Sequence, residues 1–213
     1  ATPSGVTLLE GLSFRLEPGD SLLISGPNGV GKSSIFRTLG GLWSCQKGSV
    51  SRPSAAIYIL PQRPYNVIGT VREQLTYPAP PDVAAELSDA RVAELLNLVG
   101  LEHLQSREGV HSADFNWQDA MSLGEQQLLA VARLLFHSPK FAVLDECCSA
   151  LGSEAELQVF DLCRRRSITC ITISHRTALV PLHRCSLAIG GADSRDFAFS
   201  RKEGTQEVDN LAT

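Results

Sequence analysis

Short, nearly unbroken apolar runs alternate along this chain with stretches of helical spacing. Leu22-Leu23-Ile24-Ser25, Ala56-Ile57-Tyr58-Ile59-Leu60, Phe141-Ala142-Val143-Leu144 and Ile168-Thr169-Cys170-Ile171-Thr172-Ile173 each lie between turn residues. Runs of that length read as strands buried on both faces, and Ser186–Ile189 reads as one more. Between them the apolar spacing lengthens. Ile35–Leu39 reads as a helix ended by Gly40-Gly41, and Val83–Val99 puts Val83, Leu87, Ala90, Leu95 and Leu98 on one face before Gly100. Leu123–His137 reads as a second long helix closed by Ser138-Pro139, and Glu154–Arg166 as another. Ahead of the first core strand, Val6-Thr7-Leu8-Leu9 and Leu12-Ser13-Phe14-Arg15-Leu16 alternate like an antiparallel β segment, with Pro18-Gly19-Asp20 as its turn. Strands alternating with helices predict an α/β fold with a mostly parallel sheet. The helical block at about 66–138 interrupts that sheet as an inserted subdomain. One domain is expected over residues 1–191, and the polar stretch 192–213 reads as a tail.

The link between the first core strand and its helix carries the chemistry. Gly26-Pro27-Asn28-Gly29-Val30-Gly31-Lys32-Ser33-Ser34 reads G-x-x-x-x-G-K-S-S and sits between a strand and a helix. Glycines there let backbone N–H groups close on an anion without Cβ clashes, and the helix adds its positive end. Lys32 is expected to meet the β- and γ-phosphates, and the Ser33 hydroxyl to join a Mg²⁺ shell. The chain is therefore expected to be a P-loop NTPase that binds a nucleoside triphosphate with Mg²⁺; the family resemblance below makes that ATP.

Bulk properties narrow the class. With 213 residues, 43% of them hydrophobic, the chain can bury one sizeable core. A net charge of −4 argues against non-specific nucleic-acid binding. Leu128–Phe136, broken by Arg133, is far too short to span a membrane. No signal peptide is visible and the first residue is not Met, so a domain of a longer protein is expected. Six cysteines without a C-x-x-C pair read as free thiols in a reducing compartment. Arg164-Arg165-Arg166 reads as a solvated helix end rather than a nucleic-acid patch.

Two further runs bear on the site. Phe141–Leu144 ends in Asp145-Glu146, which places Asp145 for Mg²⁺ and Glu146 to polarise a water for attack on the γ-phosphate. Ser122 and Glu125 in Met121-Ser122-Leu123-Gly124-Glu125-Gln126-Gln127 form a capping box, which leaves Gly124, a poor first-turn residue, without a structural reason.

With those runs in order, the chain resembles the nucleotide-binding domain of ATP-binding cassette (ABC) transporters. GPNGVGKSS matches the family's Walker A loop, Gln62 in Leu60-Pro61-Gln62 its Q-loop, and MSLGEQQ its signature. FAVLDE matches Walker B and Ile173-Ser174-His175 the H-loop. The resemblance implies an ABC cassette with an N-terminal antiparallel β part and a helical subdomain. It implies that Gln62 touches Mg²⁺ and reports to a transmembrane domain outside this chain. His175 would hold the γ-phosphate and attacking water, while Ser122, Gly124 and Glu125 face the nucleotide on a second cassette, identical or not, in a head-to-tail dimer.

Within the family the chain is most similar to subfamily D, on Leu39-Gly40-Gly41-Leu42-Trp43, Pro61-Gln62-Arg63-Pro64-Tyr65, Gly69–Gln74, Leu144–Cys147 and His175-Arg176. The phosphate loop with Gly40–Trp43 is similar to peroxisomal long-chain acyl-CoA carriers. Phe115-Asn116-Trp117-Gln118-Asp119 is similar instead to the lysosomal cobalamin-linked member. The expectation is an ATPase driving a half-transporter of fatty acids or acyl-CoA at the cytosolic face of the peroxisome. A lysosomal cobalamin-type transporter and a soluble non-transport ABC ATPase are the alternatives. Three positions depart from the family pattern: Leu123 and Leu128 in the signature region, and Gly152 where an aspartate is usual. Gly152 either removes a carboxylate that couples two sites or serves a φ > 0 turn. Residues 1–13 hold no aromatic to stack on adenine.

Overall fold

The computed structural model describes residues 9–45, 47–52, 57–190 and 196–202. Its centre is a six-stranded sheet built from β1 (Leu22–Ser25), β2 (Tyr58–Leu60), β3 (Phe141–Asp145), β4 (Thr169–Ile173), β5 (Cys185–Ile189) and β6 (Phe197–Arg201). The strand order is β2-β3-β4-β1-β5-β6, with every pair parallel except β5–β6. Side chains of β1 and β3 point alternately to two cores. Leu22, Ile24 and Val143 pack with Phe36 on one face, while Leu23, Ala142 and Leu144 join the helical side on the other. Burial on both faces is why these strands read as unbroken apolar runs.

Helices α1 (Lys32–Leu39) and α7 (Ser153–Arg165) follow β1 and β3 respectively. The inserted block comprises α2 (Val71–Thr76), α3 (Pro81–Glu86), α4 (Asp89–Leu98), the short α5 (Trp117–Ala120) and α6 (Leu123–His137). Leu75, Leu95, Leu129 and Leu134 are completely buried where these helices meet, each contributing about 1.5–3 kcal/mol by removal from water. The expected helix over 83–99 is two. Ser88 caps α4 by accepting from the Arg91 N–H, and the chain turns at Leu87 before it.

The front of the block is stitched to the stretch after β2. Trp117 is wholly buried and its Nε1 donates to the Gly69 carbonyl at 2.6 Å. Gly69 N donates to Phe115 O, and Val71 N to Val110 O. Thr70 and Glu73 form a reciprocal capping box that starts α2. Buried Arg133 of α6 donates to Gln74 O, Gln74 Oε1 and Tyr65 O, which locks α6 to the other side of that stretch.

Two expectations at the chain's edges change. Leu12, Phe14 and Leu16 do alternate inward and pack on the sheet core, yet they form no strand; Val6, Thr7 and Leu8 lie outside the described residues. The antiparallel partner is β6 instead, inside the stretch expected as a polar tail. Phe199 stacks on Phe14 with ring centres 5.6 Å apart, so its apolar positions have a surface to cover. Buried Asp20 ties these edges together by pairing with Arg184 at 3.1 Å and Arg201 at 3.2 Å. Among the described residues all six cysteines are free, and no helix is long and apolar enough to cross a membrane.

Candidate functional site

Three connections leave the C-terminal ends of neighbouring parallel strands: the loop after β1, the turn after β3 and the segment after β4. The crevice outside those ends is where open α/β sheets bind ligands. Ile24 and Asp145 both pair in register with Ile173, so Gly26, Glu146 and His175 emerge side by side.

The loop 26–31 is shaped by glycine. At Gly26, φ is 148° and a Cβ would lie 2.5 Å from the Ile189 carbonyl oxygen, so no other residue fits. Gly31 is left-handed at φ 99° and no side chain caps α1 behind it, which leaves the helix's first N–H groups to an outside acceptor. Buried Lys32 turns its Nζ onto the carbonyls of Gly26 and Pro27, at 2.7 Å each. Pro27, Asn28 and Gly29 are exposed around the loop, Val30 is buried beneath it, and Ser33 and Ser34 stand in the first turn of α1.

Glu146 follows β3 with φ 47°, and its N–H donates to Ile173 O. Its carboxylate is held between two side chains that follow the ends of β2 and β4. Gln62 Nε2 donates to Oε2 at 3.2 Å, and His175 Nδ1 stands 3.5 Å from Oε1. Burial, then the neighbouring Glu146, pushes the Asp145 carboxyl above its ordinary range, against the pull of Arg37 and Lys32. Two adjacent carboxylates with that imbalance form a site short of positive charge. As residue types, Asp145 and Glu146 with the expected Ser33 hydroxyl and Gln62 amide would offer only oxygen donors, the chemistry that suits a hard divalent cation.

A family model, the ABC transporter, matches residues 9–149. The chain belongs to the ABC transporter family. It is 43% identical over 98% of its length to the protein named ABC transporter D family member 1 of Arabidopsis thaliana, and 41% identical over 92% to ATP-binding cassette sub-family D member 3 of Mus musculus. It spans only 16% and 30% of those two relatives. Among solved structures it is similar to a bacterial Atm1-family ABC exporter with ATP bound, at a TM-score of 0.70 and 26% identity. That match covers 85% of this chain and 34% of the exporter chain. The chain is thus an ABC ATPase domain whose relatives include members of subfamily D.

The segment that resembles the ABC signature opens α6. Ser122 caps α6, and its hydroxyl and N–H both donate to Glu125 Oε2 at 2.8 Å. Partial burial opposes ionisation of Glu125, but hydrogen bonds from Ser122 and from His103 prevail and hold its carboxyl below the ordinary range. A Cβ added at Gly124 would meet only Ala150 O at 3.5 Å and Leu151 Cδ2 at 3.7 Å. These are ordinary contacts, so nothing in its own chain demands a glycine there. Gly152 has φ −66° and open space around its Cβ position, which corrects the φ > 0 alternative: its conformation suits any residue.

Sequence reasoning missed Arg176 and Gln127. Arg176 donates to the carbonyls of Ser149 and Leu151 and pairs with buried Glu156 at 2.8 Å. A basic residue after His175 was the one signal available. Gln127 closes the stretch MSLGEQQ, but an amide inside a helical apolar pattern gives no hint of its distant main-chain partners. A groove of about 780 Å³ also opens beside Gln62, lined by Tyr58, Pro64, Tyr65, Tyr77, Arg133 and His137.

Proposed function

We propose that this ABC domain hydrolyses ATP at Glu146 to drive a half-transporter that carries long-chain acyl groups across the peroxisomal membrane. The observation that carries the catalytic part is the Glu146 carboxylate, bracketed by Gln62 and His175 at the mouth of the phosphate loop. Residues 26–34 bind the triphosphate, with Lys32 exchanging its two loop carbonyls for phosphate oxygens. Ser33, Asp145 and Gln62 would hold Mg²⁺, which would supply positive charge to the phosphates. Glu146 takes up a proton from the attacking water, and His175 orients that water and the γ-phosphate.

Two surfaces support the assembly. Gly124 has no intrachain reason to be glycine, and the hydrogen bonds of Ser122 and Glu125 run to each other and to His103. Both fit a signature that meets the nucleotide of a second cassette lying head-to-tail. The aromatic groove adjoins Gln62, and exposed Tyr65 sits on its rim. The chain covers under a third of these relatives, and a transmembrane domain in the remaining length is the occupant of this groove. The acyl cargo and the organelle rest on the resemblance to subfamily D.

One experiment tests the whole reading: the full-length protein in proteoliposomes, with ATP hydrolysis and long-chain acyl-CoA uptake followed together. Glu146→Gln should keep ATP binding and lose turnover by about 10²-fold or more, with uptake lost alongside. Phosphate release within about twofold of the parent refutes the role of Glu146. Intact hydrolysis without acyl-CoA uptake refutes the cargo.

A further inference from the structure

Gln127 lies in α6 with its side chain wholly buried. A leucine would fill the space without carrying polar atoms into the core, so its amide needs an account. The structure uses all of it. Nε2 donates to the main-chain carbonyl of Gln62 at 3.1 Å and to Ser149 Oγ at 3.2 Å, while Oε1 accepts from Ala150 N at 3.0 Å. One planar group thus joins the signature helix, the segment that presents Gln62, and the turn after Glu146. Gln126 beside it is also buried, yet its Nε2 donates to Gln118 O in α5 and to Met121 O just ahead of its own helix.

The Gln62 carbonyl held by Gln127 belongs to the residue whose side chain donates to Glu146. On its far side the turn is held by Arg176, through Ser149 O and Leu151 O. The turn therefore hangs between one side chain from α6 and one from the residue after His175. We propose that Gln127 is a positioning residue for hydrolysis: its amide fixes the Gln62 backbone relative to the 149–151 turn, so that the Gln62 side chain meets Glu146. The proposal rests on the hydrolytic reading above.

The test is a double-mutant cycle on the full-length protein, with kcat, the KM for ATP and the melting temperature measured for each form. Gln127→Met keeps length and bulk and removes all three bonds. It should lower kcat about 10-fold with KM within twofold, the scale of a small misplacement of a reacting group. Added to Gln62→Ala it should cost no more than about twofold, because the carbonyl it holds then carries no amide. A full 10-fold loss in both backgrounds shows that Gln127 acts by packing and overturns the proposal. Gln127→Glu serves where the Met variant unfolds: it keeps an acceptor for Ala150 N and loses the donor to Gln62 O. An unchanged kcat in folded Gln127→Glu likewise overturns it, and a loss that vanishes with Gln62→Ala supports it. Glu146→Gln run in parallel separates the readings. A parent without Glu146-dependent turnover sinks both, and a parent with it leaves the hydrolytic reading standing whatever Gln127 does.

Discussion

Restoring a carboxylate at position 152 should stabilise this domain. Gly152 is the N-cap of α7, and no side chain caps that helix. An aspartate there accepts from the N–H groups of the first turn, worth a few tenths of a kcal/mol over glycine. Its charge at a helix N-terminus adds about 0.3–1 kcal/mol at low salt, and the loss of glycine's freedom in the unfolded chain adds about 0.4–1. Nothing stands within 4 Å of the new Cβ and φ is −66°, so no steric or backbone cost opposes these gains. Glu154 and Glu156 in the same turn repel the new charge and reduce the sum. The net is about 1 kcal/mol, or about 2–4 °C in melting temperature for a domain of this size. Differential scanning fluorimetry of Gly152→Asp without nucleotide reads it directly. An unchanged or lower melting temperature would refute the capping argument. An ATP titration at matched protein concentration then addresses coupling. If the carboxylate also bonds across a dimer, turnover or the Hill coefficient rises with little change in ATP affinity. A stabler protein with the same rate and cooperativity shows that position 152 matters to its own helix alone.

Two further outcomes follow from the same geometry. His183 is buried between Thr172 and Leu179, and burial pushes its pKa below the ordinary 6.5. The unfolded chain then takes up a proton that the folded one resists, so stability falls as pH drops below about 6.5, by at most about 1.4 kcal/mol per pH unit. His183→Gln should flatten the melting-temperature profile between pH 7.5 and 5, and a parallel profile rules this linkage out. The Glu146→Gln domain should be monomeric alone and dimeric with ATP by light scattering, since binding favours the closed pair that hydrolysis reopens. Monomer at saturating ATP and high protein concentration would count against the head-to-tail arrangement.

What was legible in the sequence is what depends on local pattern. Leu123–His137 came out with its boundaries because Ser122 and Glu125 announce its start, its period is sustained, and Ser138 turns left-handed at its end. The shape of the loop 26–31 was legible through its glycines and the strand before it. The break between α3 and α4 was available in Ser88, a capping residue passed over inside an apolar period. β6 was harder: Phe197 and Phe199 alternate in a polar stretch, and only their packing against Phe14 and β5 makes a strand of them. The converse holds for Leu12–Leu16, whose alternation is real in burial but unmatched by any ladder. The contacts of Gln127 and Arg176 were out of reach. Each acts on main-chain carbonyls far away in sequence, and a carbonyl leaves no mark in the choice of residue.

Glu146 sits at φ 47°, in the left-handed region that L side chains other than Asn and Asp enter at a cost of about 1 kcal/mol or more. Glycine or asparagine would occupy that turn more comfortably, and the bond from its N–H to Ile173 O would survive either change. A chain selected for stability alone would therefore drift away from glutamate at this position. On the hydrolytic role proposed for Glu146, holding a carboxylate there is a standing sacrifice of robustness to activity, and the first substitution to stabilise this turn would also be one that silences the domain.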